Sequence, residues 1–392
     1  MLFTKPSLHP PAISSAETAA LAERQLLSLL PARATLDAEL APDLSGFIEI
    51  PLTTVSESMN FDSFISVGFS SNVTPSALFP LTFDTGNPML VVPYWEDIEA
   101  LPDWQSNYQI LCAGNEPWGC PANVVMGPIE ILTKANRTYT LPNCVFYACT
   151  ADSGGSRTAN FGAGKIKIPP TACGNTVMLS PLEYNPARPY MEINLAPATD
   201  IFSEDGSLKV APGSFLKLYR EMPTGYDIFD IVPNMYWMSL VPLSLSIGKT
   251  KTGWPGNIAS PIAMIDTGGG AANLSDPGGQ LFNHHWPDTV PNPGWVKDSV
   301  NGCHASTKCN STKTDITIEL GDAEGSLTYT IDTQALPPSV RGLTLVMCEN
   351  NCFMEGENGM NIGGVSALSL SVLVDYLNAR VGLKLKTAHS AG

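Results

Sequence analysis

From Phe47 onward the apolar residues come in short runs, many alternating with polar ones and separated by Gly, Pro and Asn. The runs Phe47-Ile48-Glu49-Ile50-Pro51-Leu52, Phe64-Ile65-Ser66-Val67-Gly68-Phe69, Gly127-Pro128-Ile129-Glu130-Ile131-Leu132 and Cys144-Val145-Phe146-Tyr147 predict strands. A Pro/Gly-rich middle spans about 169–230, and within it Leu208 to Arg220 reads as a short helix. Strand-like patterning resumes near Met235-Tyr236-Trp237-Met238-Ser239-Leu240 and runs to Lys386. Residues 1–45 differ: Ser15 to Leu30 is built of helix formers and Pro31 stops it. That segment reads as a helix packed on the surface, or as the remnant of a propeptide over a cleft. It lacks the Lys excess that would pair with carboxylates, which favours the first reading. The fold class is mostly β.

Within this pattern Asp-Thr-Gly occurs twice. Asp84-Thr85-Gly86 follows Leu81-Thr82-Phe83, and Asp266-Thr267-Gly268 follows Ala263-Met264-Ile265. Each acid ends an apolar strand, and each Gly permits a tight turn after it. The copies are 182 residues apart, as expected of two pseudo-symmetric lobes whose acid loops meet across a cleft. Two carboxylates held close cannot both ionise, so they share a proton; one acts as acid and the other as base.

Composition narrows the choice. The 392 residues are 44% hydrophobic and 15% charged, enough for two packed cores, and 33 Gly with 33 Pro suit a β fold with many turns. A net charge of −16 argues against nucleic acid and anionic membrane as partners and suits work in acid. No apolar stretch is long enough to span a membrane. The N-terminal Met1-Leu2-Phe3-Thr4-Lys5-Pro6 lacks the apolar core of a signal peptide. Nine Cys and sequons at Asn72, Asn136, Asn273 and Asn310 nevertheless favour a secretory history, in a secreted or vacuolar setting. An odd Cys count leaves at least one thiol unpaired or paired between molecules. Disulfides are expected rather than zinc, although Cys144 with Cys149 and Cys348 with Cys352 have near-ligand spacing. Cys303, Cys309, Cys348 and Cys352 allow three pairings among themselves. No metal or cofactor is expected. His284-His285 reads as a surface loop, Ser153 to Ser156 as a turn rather than a nucleophile elbow, and Gly268-Gly269-Gly270 lacks the Lys of a phosphate loop.

With both acid loops in hand, the chain resembles the pepsin-like aspartic proteases over about residues 46–386. Leu243-Ser244-Leu245-Ser246-Ile247-Gly248 resembles the strand before the family's second acid loop. Met360-Asn361-Ile362-Gly363-Gly364 is similar to the strand passing behind that loop, and Thr158 to Gly164 to its first-lobe counterpart. Val372 to Leu383 resembles the family's ending. The resemblance implies a bilobal fold: an extension 1–45, a first lobe 46–230 with Asp84, and a second lobe 231–392 with Asp266. It implies that Asp84 and Asp266 activate a water against a peptide bond at acidic pH. Thr85 and Thr267 would bond across the lobes, with Gly86 and Gly268 bringing N–H groups to the acids. A peptide or protein substrate and a monomer are implied.

Three departures stand out. Asn87-Pro88 replaces the hydroxyl residues that usually follow the first loop, and Gly269-Gly270 replaces those after the second. Aliphatic Leu90-Val91-Val92 takes the place of an aromatic. The flap hairpin, which usually carries Tyr, is matched by Tyr108 to Val125, with Cys112 near the Tyr position and Trp118 the tip's aromatic. A Cys112–Cys120 bridge would staple it; the alternative is a shortened flap. A glycan on Asn273 would crowd the cleft. Two further functions stay open: acid/base chemistry on a small molecule by the same carboxylates, such as cyclisation or isomerisation, and a non-catalytic binding role.

Overall fold

A computed structural model describes residues 46–386 apart from 56–61, 69–77, 93–98, 100–103, 116–120, 135–137, 151–159, 167–179, 197–212, 234, 236–237, 248–249, 252–261, 269–271, 276–294, 298–302, 307–315, 322–325, 332–344, 349–358 and 365. The helix expected over 15–30, the tip residue Trp118, Cys120, Gly269 and Gly270, the His284-His285 pair, and the sequons at Asn72, Asn136 and Asn310 lie outside the described residues.

In the first half the strands are β1 (Phe47–Val55), β2 (Asp62–Gly68), β3 (Leu78–Asp84), β4 (Leu90–Val92), β5 (Gln109–Asn115), β6 (Pro121–Leu132), β7 (Thr138–Cys149), β8 (Asn160–Gly162), β9 (Tyr190–Asn194), β10 (Ser214–Tyr219) and β11 (Asp227–Asp230). In the second half they are β12 (Ser239–Leu240), β13 (Pro242–Ile247), β14 (Thr250–Lys251), β15 (Ile262–Asp266), β16 (Ala272–Ser275), β17 (Trp295–Lys297), β18 (Cys303–Ser306), β19 (Ile316–Gly321), β20 (Ser326–Ile331), β21 (Leu345–Cys348), β22 (Gly359–Gly363), β23 (Leu370–Asp375) and β24 (Arg380–Leu385). The strands expected around Phe47, Phe64, Gly127 and Cys144 are present as β1, β2, β6 and β7.

One expectation is corrected. Leu208 to Arg220 does not supply a helix: its described part, Ser214–Tyr219, is strand β10. Ser214, Leu216 and Leu218 are buried while Phe215, Lys217 and Tyr219 are half-buried on the other face. That alternation has a period of two, and pairing with β1 on one side and β9 on the other satisfies the backbone of the segment.

Each half contains the same four-strand arrangement. β8 runs parallel to β3 and antiparallel to β4, and β4 is parallel to β7. β22 runs parallel to β15 and antiparallel to β16, and β16 is parallel to β21. Registers match as well: Asp84 faces Gly162 across β3–β8, and Asp266 faces Gly363 across β15–β22. Each acid therefore leaves its sheet at the point where a second strand passes beside it. At Gly162 a Cβ would lie 2.2 Å from the Met89 nitrogen, so only glycine allows the chain to pass so close.

β23 and β24 from the chain's end pair with β9 and β11, next to β10 and β1, so one sheet joins strands from both ends of the sequence. A continuous apolar core runs through both halves, from Ile50, Leu81, Phe83 and Phe161 to Ile265, Ile362 and Val374. The Tyr376 hydroxyl donates to the Ala163 carbonyl at 2.6 Å and ties the β23–β24 turn to the residues after β8. In that turn buried Asp375 accepts from the Leu377 and Asn378 N–H groups and from the Arg380 guanidinium at 2.8 Å. Asp375→Ala is expected to lower unfolding free energy by about 2–3 kcal/mol, read from urea denaturation, because several hydrogen bonds to one buried charge are lost together.

Cys144 is a free, buried thiol packed against the Leu141 and Pro181 carbonyls, in keeping with the odd Cys count. Cys112 and Cys149 each take part in a disulfide. Among the described residues no group of three or more Cys, His, Asp and Glu could hold a metal ion, and no helix is long and apolar enough to cross a membrane.

Candidate active site

The two Asp-Thr-Gly turns meet at the junction of the halves. Thr85 N–H donates to Thr267 Oγ1 at 3.2 Å, and Thr267 N–H donates to Thr85 Oγ1 at 3.0 Å. Each hydroxyl then donates onward across the junction: Thr85 to the Ile265 carbonyl and Thr267 to the Phe83 carbonyl, both at 2.9 Å. Thr85 is fully buried and Thr267 is 1% exposed, so water does not compete for these bonds.

The clamp sets the carboxylates against each other. Gly86 N–H donates to Asp84 Oδ1 at 2.7 Å, and Gly268 N–H donates to Asp266 Oδ1 at 3.0 Å. A Cβ on Gly86 would lie 2.9 Å from Asp266 Cγ, and one on Gly268 would lie 2.7 Å from Asp84 Cγ. Both glycines are thus required by the opposing acid, as well as by their own turn.

The outer oxygens are held differently in the two halves. Asn87 Nδ2 donates to Asp84 Oδ2. Asn87 Oδ1 in turn accepts from Met89 N–H at 3.0 Å and from Asn160 Nδ2 at 3.1 Å. The departure at Asn87 therefore keeps a donor on the first acid, supplied by an amide. Behind the second acid, Asn361 Nδ2 donates to Asp266 Oδ2 at 2.7 Å. Neither Asn160 nor Asn361 was singled out from sequence. The available signal was a polar residue inside an apolar strand, Asn361 between fully buried Met360 and Ile362.

Burial pushes the Asp84 carboxyl well above the usual carboxylate range; the neighbouring Asp266 charge and a hydrogen bond to the Asp266 side chain push the same way, against the Gly86 and Asn87 backbone bonds. The pair thus holds one proton over a range where ordinary carboxylates are ionised.

Of the other expected residues, Cys112 lies in β5, opposite Val124 of β6, in the anticipated antiparallel hairpin. Tyr108 anchors its base, with its hydroxyl donating to the Pro128 carbonyl at 3.0 Å. Asn273 lies in β16, between β22 and β21, and is paired in register with Asn361.

No family model matches the chain, and no curated protein matches it by sequence. Solved structures do. An aspartic proteinase from Irpex lacteus superposes with a TM-score of 0.56 at 14% identity, covering 88% of this chain and 99% of that one. Basic 7S globulin from soybean superposes with a TM-score of 0.56 at 14% identity, covering 88% of this chain and 97% of that one. The chain therefore has the mostly β, bilobal pepsin-like fold. One neighbour is a proteinase and the other a globulin, so the fold alone does not assign activity.

Two outcomes follow from the geometry. Thr85→Val should lower stability by about 2–4 kcal/mol in urea denaturation, because it removes two cross-lobe bonds and leaves the Ile265 carbonyl and Thr267 N–H buried without them. Asp84 binds its proton more tightly in the folded chain than in the unfolded one. Its contribution to stability is therefore present below the ordinary carboxylate pKa and is lost as pH rises through the folded value. The melting temperature of the wild type should fall relative to Asp84→Asn as pH rises from about 3 toward neutrality; parallel profiles would contradict the assignment.

Proposed function

We propose that this protein is an aspartic-type endopeptidase acting at acidic pH, with Asp84 and Asp266 as its catalytic pair. The observation that carries this reading is the mutual placement of two carboxyls at the junction, held by reciprocal threonine bonds and sharing a hydrogen bond. A binding module has no need of two opposed acids, one buried and one half-buried, held at this cost.

The pair shares one proton as a unit. Whichever carboxyl is ionised takes a proton from a water as the water oxygen bonds to a peptide carbonyl carbon. The protonated carboxyl donates to the carbonyl oxygen, giving a tetrahedral gem-diol. The proton taken from water then passes to the peptide nitrogen as the C–N bond breaks, one gem-diol hydroxyl returns its proton to the other carboxyl as the C=O bond re-forms, and the pair is again singly protonated. Thr85, Thr267, Gly86 and Gly268 keep the acids fixed, so little reorganisation accompanies the reaction. The β5–β6 hairpin is the candidate flap, with Cys112 and Trp118 on it and a Cys112–Cys120 bridge as its staple; Asn87, Gly269 and Gly270 complete the proposed cleft. A peptide or protein substrate, a monomer and a secreted or vacuolar setting belong to the same reading, as do the lobes 46–230 and 231–392.

A second reading keeps the dyad and changes the substrate to a small molecule undergoing cyclisation or isomerisation. It is favoured by the aliphatic Leu90-Val91-Val92, all buried, in the place of the usual aromatic.

The deciding experiment incubates an unfolded protein mixture with the wild type, Asp84→Asn and Asp266→Asn between pH 2.5 and 6.5, and maps new termini by mass spectrometry. We expect acid-dependent cutting by the wild type and a loss of at least about a thousandfold in either variant. No cutting by folded wild type would move the search to small-molecule substrates.

A further inference from the structure

The two asparagines behind the acid loops occupy equivalent places. In β8, Asn160 lies two residues before Gly162, the partner of Asp84, and pairs with Thr82 in β3 and Val91 in β4. In β22, Asn361 lies two residues before Gly363, the partner of Asp266, and pairs with Met264 in β15 and Asn273 in β16. Thr82 and Met264 each stand two residues before their acid; Val91 and Asn273 each stand seven after it. The match holds on both flanking strands, so the amides are related by the same pseudo-symmetry as the acids.

Their use differs because the loops differ. In the first half Asn87 follows Asp-Thr-Gly and touches the carboxylate itself, while Asn160 braces it through Asn87 Oδ1 at 3.1 Å and the Met89 carbonyl at 3.0 Å. In the second half the residue at the matching place is Gly269, which has no side chain. There Asn361 spans the distance and donates directly to Asp266 Oδ2 at 2.7 Å. Asn361 is 4% exposed, and its Oδ1 is buried with no hydrogen-bond partner among the described residues. A half-satisfied amide is a poor core residue, and an aliphatic would fill the strand more favourably. Its one matched group is the carboxylate.

We propose that Asn361 is the positioning residue of the second acid, supplying from the strand behind the loop the donor that Gly269 cannot, and that Asn160 is its counterpart acting through Asn87. This rests on the dyad of the proposed function but not on the identity of its substrate. The donor stabilises the ionised form of Asp266 and fixes the plane of its carboxylate. Facing Asp266 from the other half is Asp84, whose carboxyl the Asp266 charge pushes up; Met264 and Asn273, flanking Asn361 in register, carry no charge.

The test compares wild type with Asn361→Leu, which keeps the branched shape and heavy-atom count and removes the donor, and with Met360→Leu on the same buried strand. The full chain, labelled with carbon-13 at the Asp carboxyls, is titrated by NMR, with Asp84→Asn and Asp266→Asn to assign the pair. We expect the first ionisation of the pair to move up by about one pH unit in Asn361→Leu, tenfold in proton affinity, and to stay in place in Met360→Leu. Where cleavage is measurable, kcat should fall about a hundredfold, with KM changed less than about twofold and the acid limb of the pH profile moved up. An unchanged carboxyl titration in folded Asn361→Leu overturns the proposal, whatever happens to activity. Asn361→Ala, which relieves crowding, gives the same test should the leucine variant fail to fold. A shifted titration in a protein that cuts no peptide would keep the positioning role and discard the endopeptidase reading.

Discussion

The reciprocal hydrogen bonds between Thr85 and Thr267 are the contact on which the rest of the site depends. Each threonine uses its backbone N–H and its hydroxyl on the opposite half, so neither turn reaches its geometry without the other. The bonds are buried, which raises both their strength and the cost of breaking one partner. Two like-charged groups would otherwise drift apart. Held by this clamp, Asp84 and Asp266 must settle their repulsion by keeping a proton between them.

That constraint explains the sequence around it. Gly86 and Gly268 are small because a side chain at either would strike the opposite carboxyl. Gly162 is small because β8 passes against the chain at Met89. The strands behind the loops are apolar because they carry the core that keeps the turns in place, and the exceptions, Asn160 and Asn361, point their amides toward the carboxylate networks. The joining sheet adds a longer-range brace. Its C-terminal strands pair with β9 and β11, and Tyr376 bonds back to Ala163 just behind the first acid.

The sites of departure from the family pattern read differently once side chains are in place. Asn87 keeps a donor on the outer oxygen of Asp84, supplied by an amide. The glycine after the second loop has no such local remedy, and the donor comes from 95 residues away. Both acids receive an asparagine amide on Oδ2, from the adjacent loop in one half and from a distant strand in the other.

Local pattern was enough to place most of what matters. Period-two alternation marked β1, β2, β6 and β7, and the duplicated Asp-Thr-Gly marked both acids, both clamping threonines and both glycines, because each of those roles is written in a few adjacent residues. Segment 214–219 escaped, since its alternation competes with nearby helix formers and only pairing with β1 and β9 decides the outcome. Asn361 escaped for a stronger reason. Its meaning is a 2.7 Å contact to Asp266, created when β22 lies parallel to β15 in one register; a shift of one residue would turn the amide away from the acid. The sequence by itself determined which residues carry charge, hydroxyls and tight turns. Only the tertiary structure decided which donor meets which carboxylate oxygen, because that depends on strand register across the whole second half.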